Sequence, residues 1–207
     1  MRSGRHSVNG AVPLGVGTGR ASTAERRVVL AMQQSLDGYV AGPNGETDWI
    51  FDGLSPDLET FLCSHLESAD TMLMGRLTYE EQAAVWPRLS GRMADAVNAH
   101  AKVVFSTSSY EPAWAGTRFT SRTPAEEIAA LRAQKGSTIA VSGGPTLVQS
   151  LLVHELIDEL HLTVHPVALG AGVRPFRSPA RFRLAATRAF ASGAVVSSYV
   201  RDIRDGR

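Results

Sequence analysis

The sequence predicts an α/β fold of three layers, in which helices cover both faces of a mostly parallel central sheet that ends in an antiparallel C-terminal hairpin. Three observations lead to this prediction. Short apolar runs alternate with helix-like segments along most of the chain, which is typical of a parallel sheet. Capping patterns of the Thr-x-x-Glu type begin two of the helical segments. Ser192-Gly193 separates the last two apolar runs, as in a β-hairpin.

The first half of the domain is predicted to contain two strands, a long polar loop and two helices. Residues 27–33 are apolar and β-branched, which favours a buried strand, and residues 35–45 are dense in turn-forming types. Ser55-Pro56-Asp57 has the residue types of an N-cap and a first helical turn. Residues 70–74 form a second apolar run, and Thr78-Tyr79-Glu80-Glu81 is a capping box that begins the next helix.

The second half repeats the alternation and then changes to strands alone. Thr123 and Glu126 form a capping box with proline at the first helical position. The predicted helices cover residues 92–100, 123–134 and 145–153. The predicted strands cover residues 102–105, 138–142, 159–165, 182–189 and 194–203.

Composition limits the class of protein. The chain has 207 residues, a net charge of +1 and 43% hydrophobic residues, enough for one substantial core. The near-neutral charge argues against a nucleic-acid partner. The single cysteine, Cys63, excludes an intramolecular disulfide and a multi-cysteine zinc site. No apolar run approaches the roughly 20 residues that span a bilayer, and no secretory signal is recognisable, so we expect a cytoplasmic protein with no membrane partner.

The N-terminal segment differs from the rest. Residues 1–25 are rich in Gly, Ser, Arg and Thr without apolar periodicity, which predicts a disordered leader before a single domain over residues 26–205. Gly15-Val16-Gly17-Thr18-Gly19 superficially matches a nucleotide-binding loop. No strand precedes it, so we do not assign it that role.

Three segments follow predicted strands, at the edge where parallel sheets bind ligands. They are Gly75-Arg76-Leu77-Thr78, Ser106-Thr107-Ser108 and Ser142-Gly143-Gly144-Pro145-Thr146. Glycines let the backbone approach a ligand closely, and a helix N-terminus binds phosphate through its free N–H groups. The Arg76 guanidinium suits an extra phosphate, such as the adenosine 2′-phosphate of NADP. The alternative is a plain βα turn, a surface ion pair and ordinary polar strand ends.

These segments, taken in order, resemble the dihydrofolate-reductase-like superfamily. Within it they are most similar to the branch named for the reductase domain of the bifunctional riboflavin-biosynthesis deaminase–reductase. The resemblance covers about residues 27–203. Its motifs are SLDGYVA at 35–41, GETDW at 45–49, MGRLTYE at 74–80, VVFST at 103–107, VSGGPTL at 141–147 and ELHL at 159–162.

The resemblance implies an NADPH-binding fold and assigns positions in this chain to the cofactor. Arg76 and Ser106 would approach the 2′-phosphate. Thr78 and the turn formed by Gly143, Gly144, Pro145, Thr146 and Leu147 would hold the diphosphate. Gly75, Thr107 and Ser142 are further candidate cofactor-binding residues. The Gly143–Gly144 peptide would be cis, and residues 31–42 would lie along the nicotinamide and the substrate.

The implied activity is an NADPH-dependent reduction of a small pteridine- or pyrimidine-like heterocycle. We do not expect a zinc deaminase domain in this chain, because the signature of that domain needs more than one cysteine. A homodimer is expected, since the terminal hairpin leaves a β edge to be covered. Two alternatives stay open: a non-catalytic NADP-binding regulatory module, and a structural dimer whose loops bind nothing.

Two carboxylates are candidate proton donors, namely Asp57 and Asp37, with water as a third source. Asp57 alternatively only favours the dipole of its helix, and Asp37 alternatively only shapes a turn. Asp48 and Trp49 are candidate walls of the substrate pocket, with core packing as the other reading of Trp49. No metal is expected, because a pair of strand histidines, His161 and His165, lacks a third ligand.

Overall fold

The computed structural model describes residues 25–108 and 111–202, and its strands form one mixed sheet in the order β4-β3-β2-β5-β1-β6-β8-β7. The strands are β1 Val28–Gln34, β2 Ala69–Gly75, β3 Ala101–Phe105, β4 Thr117–Thr120, β5 Thr138–Val141, β6 Glu159–Val164, β7 Phe182–Ala189 and β8 Val195–Arg201. The helices are α1 Asp48–Asp52, α2 Pro56–Glu67, α3 Arg76–Ala83, α4 Arg92–Ala99, α5 Pro124–Arg132 and α6 Pro145–Val153, with a 3₁₀ turn at Trp86–Arg88.

The six strands from β4 to β6 are all parallel to their neighbours, whereas β8 runs antiparallel to both β6 and β7. Strand β1 lies between β5 and β6, and Leu30 is level with Val141 on one side and Leu160 on the other. The prediction of a mostly parallel sheet with an antiparallel C-terminal hairpin is therefore confirmed.

Helices cover both faces of this sheet, which gives the three predicted layers. On one face, Leu73 and Val103 pack with α5 and α6 through Ile128 and Leu151. On the other face, their neighbours in sequence point away from those helices, and Met74 and Val104 pack with Tyr79 of α3 and Val97 of α4. This alternation is the period of two that a strand imposes on its side chains.

Helix α5 begins as its sequence predicts. The Thr123 hydroxyl accepts a hydrogen bond from the Glu126 N–H, and the Glu126 carboxylate accepts one from the Thr123 N–H, so the capping box is complete. Helix α3 differs from the prediction, because it begins at Arg76 rather than after Thr78 and has Gly75 as its N-cap. Strand β2 passes directly into this helix, so Thr78 lies within its first turn.

Two short elements were not predicted, α1 and β4. Strand β4 has only four residues, and a pattern so short carries little signal. Tertiary contacts supply what the pattern lacks, because β4 pairs with β3 and packs against the buried carboxylate of Glu127. That carboxylate accepts a hydrogen bond from the Thr120 hydroxyl at 2.8 Å and pairs with Arg118.

The predicted leader lies outside the described residues, apart from Glu25, which forms an ion pair with Arg132 over 3.5 Å. The domain limits at residues 26 and 205 therefore stay a prediction. Across residues 25–108 and 111–202, no helix combines the length and apolarity needed to cross a bilayer.

Candidate functional site

Two helix N-termini meet at the carboxyl edge of the sheet. Strands β2 and β5 are hydrogen-bonded neighbours, and each is followed by a helix, α3 after Gly75 and α6 after Gly144. Neither N-cap has a side chain that satisfies the free N–H groups. Helix α5, which follows β4 at the same edge, has its capping box instead. Uncapped N–H groups and the positive end of the helix dipole favour an anion between α3 and α6.

The glycine turn before α6 leaves room for such an anion. Gly143 and Gly144 have φ angles of +50° and +85°, a region that side-chain-bearing residues rarely adopt. A Cβ atom on Gly144 would come within 2.9 Å of the Thr78 Oγ1 atom. Thr78 therefore lies directly at the turn. The Leu147 side chain is buried in the core, so this residue can offer a ligand only its backbone.

The turn is also linked to α3 through Ser142. The Gln82 side-chain amide donates a hydrogen bond to the Ser142 hydroxyl over 2.8 Å, and the Ser142 N–H bonds to the Leu73 carbonyl at 2.9 Å. The expectation of a cis Gly143–Gly144 peptide is wrong, because the described residues contain no cis peptide bond. The two positive φ angles form the turn through a trans peptide instead.

A small polar pocket lies beside the start of α3. Its volume is about 170 Å³, and its described lining residues are Ser106, Thr107, Ser108, Phe119, Thr120 and Ser121. The half-exposed Arg76 side chain reaches it, with its Nη1 atom 3.4 Å from the Ser108 hydroxyl. The other side of the guanidinium is 3.5 Å from Glu80. The structure therefore places Arg76 beside the pocket that Ser106 and Thr107 line.

A part of the sheet that no helix covers lies next to the Gly143–Gly144 turn. Ala31 is exposed although its strand has neighbours on both sides, so no helix covers this part of β1. His161 is level with Ala31 on the adjoining strand, and Gln33 is level with Thr163. Because parallel register partners face the same side, these side chains lie on one face of the sheet around the exposed Ala31. This face is called the cleft below.

Trp49 lies at one end of this cleft, whereas Asp48 is exposed at the start of α1. The indole ring meets His165 edge-on, with ring centroids 5.6 Å apart. The His165 Nε2 atom is 2.7 Å from the Gln33 Oε1 atom, so the ring donates this hydrogen bond. Burial lowers the pKa of His165. These contacts fix the orientation of Gln33 in the cleft.

Both candidate proton donors have structural partners. The Asp57 carboxylate accepts hydrogen bonds from the N–H groups of Leu58 and of Ala191 in the β7–β8 turn. The Ser55 hydroxyl, followed by these N–H groups, lowers the Asp57 pKa. Asp37 accepts bonds from Ser35 and from two backbone N–H groups beyond β6, and its pKa is about 2, with Ser35 the largest cause. Both groups are therefore ionised at neutral pH and are weak proton donors.

A pair of histidines lies further along the cleft. His65 of α2 lies against His161 with ring centroids 3.9 Å apart, and His161 is 3.4 Å from the Glu159 carboxylate. Burial, and then the neighbouring His161, lower the pKa of His65 to about 4. In the part of the chain that the structure describes, no three His, Cys, Asp or Glu side chains are placed to hold a metal ion.

Several site residues were not predicted from the sequence. Gln82, Thr120 and Ser121 lie one turn or one strand away from the motifs that were recognised, and Gln33 was assigned only to a strand. The signal for Gln82 was available, since a helix that begins at Arg76 places positions 78 and 82 on one face. Thr120 and Ser121 gave no local signal, because β4 itself was not recognised.

Comparison with known proteins identifies a family that matches most of the chain. A family model of the RibD C-terminal domain matches residues 26–196. Two proteins of Bacillus subtilis (strain 168), both named as uncharacterized, are similar over most of their length. YyaP is 30% identical over 84% of this chain and 95% of its own, and YwjB is 31% identical over 86% and 99%.

Solved structures share the fold. A protein of Shewanella sp. PV-4 provisionally assigned to riboflavin biosynthesis has a TM-score of 0.70 and 24% identity, covering 85% of this chain and 99% of that one. A Thermotoga maritima diaminohydroxyphosphoribosylaminopyrimidine deaminase/5-amino-6-(5-phosphoribosylamino)uracil reductase has a TM-score of 0.64 and 16% identity, covering 86% and 57%. Enterococcus faecalis dihydrofolate reductase, solved with NADP(H), has a TM-score of 0.58 and 16% identity, covering 85% and 96%.

The half-buried His65 generates a pH prediction. Its pKa is lower in the folded chain than the ordinary value of 6.5, so the unfolded chain binds more protons between about pH 4 and pH 6.5. The free energy of unfolding should therefore fall as the pH decreases through this range, by at most about 1.4 kcal/mol per pH unit for one proton. Urea denaturation at pH 7 and pH 5 should show a smaller pH effect for His65→Gln than for the wild type, with His165 responsible for part of the remainder. An equal pH effect in both proteins would contradict this assignment.

Proposed function

Because this chain belongs to the RibD C-terminal domain family, we propose that it is an NADPH-dependent reductase that transfers a hydride to a small pyrimidine- or pteridine-like heterocycle. The family and its structural relatives include reductases of a uracil derivative and of dihydrofolate. The proposal extends to this chain the cofactor with which one relative was solved.

One observation carries the proposal, namely the two uncapped helix N-termini on neighbouring strands. A diphosphate has two anionic groups, and the α3 and α6 corners offer one binding position for each. The Cβ-free backbone at Gly144 allows close approach, and the Thr78 hydroxyl lies beside it. The N–H groups of Thr146 and Leu147 would donate to the diphosphate, while Pro145 holds the first helical turn.

The 2′-phosphate of NADPH fits the polar pocket at the other side of α3. The Arg76 guanidinium would form charge-assisted bonds to it, and the hydroxyls of Ser106 and Ser108 would complete its hydrogen bonds. Thr107 lies in the same wall. Glu80 already contacts one side of the guanidinium and would keep it directed toward the pocket.

The cleft over Ala31 would receive the reacting groups. Bound NADPH would supply the hydride, and the chain would supply orientation and exclusion of water. Trp49, held edge-on by His165, would form one wall for a flat substrate ring, with Asp48 at the rim. We propose that the proton reaches the substrate through water, because Asp37 and Asp57 are ionised and bonded to backbone N–H groups.

The activity is tested by stopped-flow measurement of NADPH oxidation with a panel of pyrimidines and pteridines. At least one compound should accelerate oxidation, and Asp57→Asn should change the rate by less than about threefold, because Asp57 is bound within the fold. Gly144→Val is the negative control, since its side chain would meet Thr78. NADPH binding without any turnover would support the non-catalytic binding module, and no NADPH binding in calorimetry would reject the proposal.

Arg76→Ala tests the choice of cofactor. Loss of a charge-assisted contact to the 2′-phosphate should raise the Kd for NADPH by about 10- to 100-fold, and the Kd for NADH by less than about threefold. Fluorescence titration with both cofactors measures this difference. Arg183→Ala, on the exposed strand β7, is the matched control and should change neither value. Equal losses for NADPH and NADH would contradict the assignment of Arg76.

We also propose that the chain forms a homodimer. Strand β7 is the last strand of the described sheet, most of its residues are exposed, and Leu184 is 52% exposed. An exposed apolar edge favours association with a second chain. Sedimentation velocity should give twice the mass of one chain at micromolar concentration, and Leu184→Glu should shift the equilibrium toward monomer. A monomeric wild type would contradict this proposal.

A further inference from the structure

Two segments that leave adjoining strands are bonded to each other at the mouth of the cleft. One is the β1–α1 loop, residues 35–42, and the other is the post-β6 segment, residues 165–174. The Leu36 N–H bonds to the Val167 carbonyl at 2.7 Å. Further along, Ala41 and Val173 form a two-residue bridge, with hydrogen bonds of 2.9 Å in both directions between the two segments.

Asp37 is the side chain that joins the middle of these segments. Its Oδ2 atom accepts hydrogen bonds from the N–H groups of Gly170 at 2.7 Å and Leu169 at 3.1 Å. Its Oδ1 atom accepts one from the Ser35 hydroxyl at 2.7 Å. The same hydroxyl accepts a bond from the Tyr39 N–H at 3.0 Å, and Ser35 is almost fully buried. The carboxylate is thus part of a network that includes Ser35 at the start of the loop and Tyr39 within it.

A second contact completes the junction on its outer side. The Arg174 guanidinium lies over the Tyr39 ring, 4.6 Å from its centroid, and its Nη2 atom is 3.3 Å from the Tyr39 hydroxyl. Cation–π contacts at exposed positions are worth about 0.5–1 kcal/mol. Arg174 therefore supports the loop from its outer side. Its contribution is smaller than that of the Asp37 bonds, which involve a full charge and two backbone donors.

We propose that Asp37 is a positioning residue, which holds the β1–α1 loop against the post-β6 segment and so fixes the shape of the cleft mouth. This proposal rests on the proposed function, because the loop adjoins the strand whose Ala31 would lie under the reacting groups. Every bond that Asp37 makes in the structure is to a protein donor, and three donors occupy its two oxygens. That arrangement suits an ionised carboxylate that accepts structural hydrogen bonds. Such a carboxylate carries no proton to donate to a substrate.

Asp37→Asn is the sharpest test, since it keeps the shape and replaces one acceptor oxygen with an N–H₂ group. The amide cannot accept from both Ser35 and Gly170, so the junction should open more often. Hydrogen exchange measured on the ligand-free protein should be at least about 10-fold faster for the amides of Val40 and Val173. Asp48→Asn is the matched control, because Asp48 is an exposed acid on the next element and should leave both amides unchanged.

Kinetics distinguish positioning from proton donation. A positioning role predicts that Asp37→Asn raises the KM for NADPH or substrate by about 10-fold while kcat stays within about threefold and its pH profile keeps its shape. Loss of kcat at constant KM would overturn the proposal in favour of a catalytic acid. Ser35→Ala is a milder variant in case Asp37→Asn does not fold, and should give a smaller increase in exchange at the same amides.

The exchange experiment separates this proposal from the proposed function. Unchanged exchange at Val40 and Val173 in both variants would overturn the positioning role, whatever the protein catalyses. Faster exchange in a protein whose wild type oxidises no NADPH would support the junction and reject the reductase activity.

Discussion

The parallel pairing of β2, β5 and β1 is the constraint on which the rest of the structure depends. Backbone hydrogen bonds keep Leu73, Val141 and Leu30 level with one another across three strands. Parallel strands end at one edge, so this register brings Gly75, the Gly143–Gly144 turn and the β1–α1 loop to neighbouring positions. The buried side chains of β1 and β5 pack with helices on one face and those of β2 on both faces, which holds the register firmly.

Differences between helix N-termini give this edge its chemical character. The N–H groups at the start of α5 are satisfied by Thr123 and Glu126, so that helix needs no ligand. Helices α3 and α6 have glycine N-caps, which provide no side-chain acceptor for their free N–H groups. Unsatisfied N–H groups favour an anionic partner. The same contrast separates the two corners proposed to bind the diphosphate from a helix whose N-terminus is already satisfied.

Local sequence signals were reliable where one segment contains all the interacting groups. The capping box of α5 was predicted because its two partners are three residues apart, and the βα corners were recognised because glycine and proline act within a single turn. Strand β4 was not predicted, since its stability comes from β3 and Glu127 rather than from its own four residues. Helix α3 begins three residues earlier than predicted because Gly75 joins strand and helix without a linker.

By itself, the sequence determined the layered α/β fold, its antiparallel C-terminal hairpin and the membership of the RibD C-terminal domain family. Hydrophobic periodicity and ordered motifs carry that information along the chain. Only the tertiary structure decided which groups bond to single carboxylates. Asp37 bonds to Gly170 and Asp57 to Ala191, partners more than 130 residues away in the chain. A carboxylate could serve either as a proton donor or as a structural acceptor, and the groups that donate hydrogen bonds to it favour one role over the other. Folding alone brings such distant donors within hydrogen-bond distance.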